Sequence, residues 1–284
     1  MKNLTGILGD LDFIKQNFSA SQDDYLDEDI ISASKILEEI FIKIEESRAP
    51  TTDAFDICRN ILPLNKVNMN KTLKTACCIH DAGTMPSDHI YHTVFHHAKV
   101  MIASALLASH HDITDPEILY PLISTALIHD FFYEESKKQS VLEKDTIENI
   151  SINKAFEYNL FNNKYMDINL FKEINKATIF PTPVILSENE KIRTIQELLA
   201  AADLMPSLGI SSRFFARETK RIELENNILL DNEQRYNFAT QDEVIKRIQL
   251  PIKNTIFEMN YNKITEYLNK HVLKNQNDYN GFKI

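Results

Sequence analysis

The chain has 284 residues, 43% of them hydrophobic, and a formal net charge of −10. That length buries a sizeable core, while charge of this sign excludes bulk binding to duplex nucleic acid, which needs Lys and Arg to neutralise phosphates. Five glycines and nine prolines are too few for the tight turns of sandwiches, barrels or α/β sheets, so an all-α fold is expected, as one helical domain over 1–284.

The N-terminus, MKNLTGILGDLDFIKQ, lacks the basic start and long apolar run of a secretory signal, and no stretch reaches the length of a membrane span. From Ile30 to Glu46, apolar residues recur at three- and four-residue steps, which lines one face of a helix that Pro50 closes. That face is either core or a dimer surface. Cys58, Cys77 and Cys78 are odd in number, two of them adjacent, and do not form a disulfide framework; reduced thiols point to a cytoplasmic protein. Residues 62–90 contain Pro63, Gly83 and Pro86 and read as loop and short helix. Helices are expected over 92–109, over 116–133 with Pro121 as kink or start, and over 145–161 and 168–179. FPTPV at 180–184 is extended because a residue before proline avoids the helical region. Ser187 with Glu190 reads as a capping box opening a helix through Asp203. Amphipathic helices broken at Pro251 fill 211–284.

Seven of the nine histidines fall between residues 80 and 111, which points to metal, to acid–base work or to both. His92 and His96 are four apart, so a helix would project both rings from one face. His129-Asp130 ends an apolar helix, and Asp203 sits among Ala and Leu on the face of Leu199 and Ile192. Buried charge there needs a partner or a cation. Two imidazoles and two carboxylates suit one divalent ion with open positions for water and substrate. The candidates are Mn, Fe, Zn, Ni, Co or Mg.

The order His, then His-Asp, then Asp resembles the HD-domain superfamily of metal-dependent phosphohydrolases. The match runs over about 88–210: Tyr91-His92-Thr93, His129-Asp130 followed by Phe131, Glu148 with Ser151, and Ala202-Asp203-Leu204 with Leu208-Gly209. The spacing from Tyr91 to His96 is also similar to an element of cyclic nucleotide phosphodiesterases. The resemblance implies an HD helical bundle at 88–210 with helical extensions at 1–87 and 211–284. It implies metal ligands His96, His129, Asp130 and Asp203, with His92 as the catalytic acid. No histidine lies between Phe131 and Lys270, which argues against a fully ligated two-metal site of the kind some relatives carry.

Other residues have two readings each. Glu148 and Asp145 could reach the metal water or form a solvated acidic face. Arg213 and Arg217, in a basic stripe with Lys220 and Arg221, could bind substrate phosphate or simply face water. Phe131 to Tyr133 could stack a base or pack the core. His80-Asp81 precedes the first ligand and reads as loop or surface, His97 as packing or surface, and His110-His111-Asp112 as a polar turn facing solvent or the site entrance. The expected activity is hydrolysis of a nucleotide or nucleotide-like phosphate mono- or diester, a small-molecule partner. The alternatives are a nucleotide-binding sensor without turnover and an interaction protein.

Overall fold

The computed structural model describes residues 4–24, 26–83, 90–131, 144–161, 167–179, 186–227 and 242–271. Among them are twelve α-helices and no strand: α1 Leu4–Asn17, α2 Glu28–Glu45, α3 Pro50–Ile61, α4 Val67–Asp81, α5 Val94–His110, α6 Pro116–Ile128, α7 Lys144–Glu157, α8 Ile168–Asn175, α9 Glu190–Leu208, α10 Ser212–Asn227, α11 Asp242–Ile248 and α12 Ile256–His271. The fold is all-α. No described helix is long and apolar enough to cross a membrane.

Two helices are buried on every side. In α5 every residue from His96 to Ala108 is buried, and in α6 every residue from Leu119 to Ile128. A helix that is apolar all round belongs inside, and α5 accordingly packs against α3, α6 and α9. Leu106, Leu107 and Met101 are at most 1% exposed, each contributing about 1.5–3 kcal/mol by burial. Helix α2 is amphipathic. In α2 the buried residues are Ile30, Ala33, Leu37, Ile40, Phe41 and Ile44, so the face with two readings is core. Pro50 does not merely close α2; it opens α3, because a proline at the first helical position loses no hydrogen bond.

The segment expected as loop and short helix holds a helix of 15 residues, α4. Pro63 lies before it, and Gly83, at φ +86°, lies after it, so the two breakers bound the helix instead of interrupting it. The expected cap of α9 also shifts. Asn189 Oδ1 accepts from Lys191 N and Ile192 N at 3.0 and 3.3 Å, while the Ser187 hydroxyl bonds Glu173. Asn caps as well as Ser does. Pro121 lies inside α6. FPTPV at 180–184 lies outside the described residues.

The chain's two end regions meet at the C-terminus of α5. Ser19 and Thr255 form an isolated bridge, Ala20 N donates to Asn254 O at 2.8 Å, and Ile256 N donates to Phe18 O at 2.9 Å. His110 bonds Ser19 Oγ and Lys253 O at 2.9 and 3.1 Å, and His111 bonds Pro251 O at 2.9 Å. These two histidines tether the end segments; the polar-turn reading missed that task.

Candidate metal centre

Three elements bring the site together. His96 stands in the first turn of α5, His129 and Asp130 form the turn after α6, and Asp203 projects from α9. One ligand atom from each lies within 4.8 Å of all the others. The turn at 129–130 is held from behind: buried Asn175 donates Nδ2–H to the His129 carbonyl at 3.0 Å, and Phe131 N donates to Ile128 O at 3.1 Å.

Proton bookkeeping shows what the cluster needs. His129 Nδ1 faces the Ala126 carbonyl at 3.0 Å, a pure acceptor, so Nδ1 carries the proton and Nε2 of the neutral ring presents a lone pair. That lone pair meets Asp130 Oδ2, Asp203 Oδ1 and His96 Nε2, each at 3.2 Å, and His96 Nε2 meets Asp203 Oδ1 at 3.0 Å. Four electron-rich atoms this close require a proton or a cation among them. Burial alone would depress the His129 pKa, yet the charges of Asp130 and Asp203 raise it well above the ordinary value. Burial likewise disfavours both carboxylates, but His129 holds Asp130 and Asp203 below the usual range, and His96 adds to the effect on Asp203. Burial dominates for His96, whose pKa falls. The pocket therefore attracts positive charge. Two imidazole nitrogens and two carboxylates can supply a divalent ion with donors and matching charge. The donor set fits.

His92 stands beside the cluster, its Nε2 3.8 Å from Asp130 Oδ2. It precedes α5, so it reaches the site from the segment before the helix rather than from its face. Its Nδ1 bonds Glu225 Oε1. Burial pulls its pKa down, but the Glu225 hydrogen bond and the Asp130 charge outweigh burial and raise it. Tyr91 packs its ring beside those of His92 and His96, with centroids 4.9 and 4.7 Å away, and its hydroxyl bonds Ser207 Oγ of α9 at 2.8 Å.

Sequence reasoning missed Glu225 and Glu218. Both lie on the face of α10 that carries Phe214, at positions four and eleven residues on, a spacing that marks them as inward-pointing. Arg217 donates to Glu45 and Glu218 at 2.8–3.1 Å and lies 4.0 Å from the Phe214 ring centre. Arg221 bonds the same two carboxylates, and buried Lys99 completes the group at 2.8 Å from Glu45 and 3.4 Å from Glu218. Arg213 is exposed. Phe131 is buried, its ring 5.1 Å from that of His80. Phe132 and Tyr133 lie outside the described residues. Glu148 and Asp145 are on α7, at positions where only the backbone is described.

His80-Asp81 is neither loop nor surface. His80 stands in the last turn of α4 at 1% exposure, bonds His97 Nδ1 through Nε2 at 2.8 Å, and is depressed to a pKa of about 4 by burial. Asp81 accepts from Thr51 N and Thr52 N, each at 2.9 Å, and thereby caps α3. The reason is tertiary: α4 brings Asp81 to the N–H groups of Thr51 and Thr52, which have no partner within their own helix. His97, fully buried, packs its ring against His129 with centroids 5.1 Å apart.

Comparison with protein-family models finds no match for this chain, and comparison with curated proteins finds none either.

Proposed function

We propose that this chain is a metal-dependent phosphohydrolase of the HD type, acting on a nucleotide or nucleotide-like phosphate ester. The observation that carries the reading is the convergence of His96, His129, Asp130 and Asp203 within 4.8 Å, from two helices and a turn far apart in sequence. A divalent cation (Mn, Fe, Zn, Ni, Co or Mg) held by these four would supply Lewis acidity, polarising the phosphoryl oxygen and lowering the pKa of water towards about 7.

The chain's own residues supply the rest. Water oxygen bonds to phosphorus as the ester P–O bond breaks, and the leaving oxygen takes the electron pair together with the Nε2 proton of His92. The proton released by the attacking water leaves to solvent, and His92, whose Nε2 faces Asp130 at 3.8 Å, regains its proton from solvent. Asn175 and Ala126 fix the orientation of His129, as second partners of metal-binding histidines do. Hydrolysis also explains why a net charge of −10 is tolerated: a small substrate needs local cations only.

The test is metal analysis of the purified protein, then a nucleotide and phosphate-ester panel with each metal added in turn. Metal bound with turnover supports the reading. Metal and nucleotide bound without turnover would replace it with a sensor, and neither would leave an interaction protein.

A further inference from the structure

Segment 90–92 is held by one side chain. Glu225, 2% exposed, accepts at Oε2 from three consecutive backbone N–H groups, Ile90 at 3.0, Tyr91 at 2.7 and His92 at 3.2 Å. Its Oε1 meets His92 Nδ1. Three converging amides make an anion nest just before α5, where the helix end also favours negative charge. They fix the plane and depth of the carboxylate, so Oε1 has one place to be. An ionised carboxylate only accepts, which puts a proton on Nδ1 and fixes the ring.

We propose that Glu225 is the positioning residue of this site, holding His92 with Nδ1 protonated and Nε2 directed at the ligand cluster. The proton-delivery role of His92 rests on the hydrolytic reading above. The support for Glu225 is itself anchored. Lys99 of α5 and Glu45 of α2 join Glu218, Arg217 and Arg221 of α10 in a partly buried ion network. Lys99 follows His96 by one turn, so α10 and Glu225 are registered to the same helix that carries the first ligand. Ligand and acid keep a common reference.

Glu225→Gln tests this. Its amide oxygen still accepts the three backbone N–H groups, but its NH₂ can only donate towards Nδ1, so the Nδ1 proton is lost. In metal-free protein, NMR should show a strongly low-field Nδ1 proton on His92, absent in Glu225→Gln. With metal restored, Glu225→Gln should keep wild-type metal stoichiometry and KM, while kcat on an alkyl phosphate ester falls about 10–100-fold, the usual loss for an orienting partner. A nitrophenyl ester, whose leaving group needs no proton, should be largely spared. Wild-type protein without the low-field proton, a variant that retains it, or equal losses on both esters would overturn the proposal. A wild type that hydrolyses no ester with any metal would defeat the hydrolytic reading instead. The proton resonance, read without metal or substrate, decides the Glu225–His92 arrangement independently.

Discussion

Replacing Asp130 with alanine removes one of the two carboxylates that lie 3.2 Å from His129 Nε2, the one that is 13% exposed. A cation present at a hundred times its Kd stabilises the folded protein by about 2.7 kcal/mol through binding linkage. For a chain of this size about 2–4 °C of melting temperature corresponds to each kcal/mol, so metal should raise wild-type Tm by roughly 5–10 °C. Losing an orienting partner of a ligand costs about 10–100-fold in affinity, and losing a ligand costs at least the upper figure. At the same metal concentration the variant then sits near its Kd, where linkage contributes only about 0.4 kcal/mol, or roughly 1 °C. The metal-free variant should melt close to or above metal-free wild type, since one buried charge has gone. Differential scanning fluorimetry over a metal titration, paired with elemental analysis, reads all of these quantities. A full metal-dependent shift in Asp130→Ala, with stoichiometric metal, would refute the four-ligand assignment.

Three further outcomes follow from the same geometry. His92→Ala should keep its metal and lose about 10²–10⁴ in turnover on alkyl esters, with nitrophenyl esters much less affected; loss of metal would make His92 a ligand. His80 stays neutral in the folded protein, with its pKa at about 4 against an ordinary 6.5, so only the unfolded chain takes up its proton between those values. Stability should therefore fall as pH drops from 6.5 to 4, by about 3 kcal/mol for this group, and urea denaturation of metal-free His80→Phe should show a flatter profile; an unchanged slope would remove the attribution. Glu218→Ala leaves buried Lys99 and two arginines sharing Glu45, which should cost about 3–5 kcal/mol. A loss below about 1 kcal/mol in chemical denaturation would show that the network does not anchor α10.

What the sequence determined by itself is local. The scarcity of glycine and the spacing of apolar residues in α2 dictate helices, because a helix writes its buried face into every third or fourth position. The four-residue cluster was legible for a related reason: Asp203 among Ala200, Ala201 and Ala202, and His129-Asp130 after the largely apolar run of α6, place charge where nothing nearby in sequence can solvate it. Only the tertiary structure decided the partners. Glu225 is an ordinary acid in a polar helix until α10 lays it against the N–H groups of residues 90–92, 133 or more positions away. Asp81 likewise resembles half of a metal motif until α4 carries it to the start of α3, and Arg217, which reads as a phosphate contact in a basic stripe, turns to Glu45 from α2. Hydrogen-bond and ion-pair partners are chosen by whichever groups packing brings within about 3 Å, and sequence periodicity says which face turns inward but not what waits there.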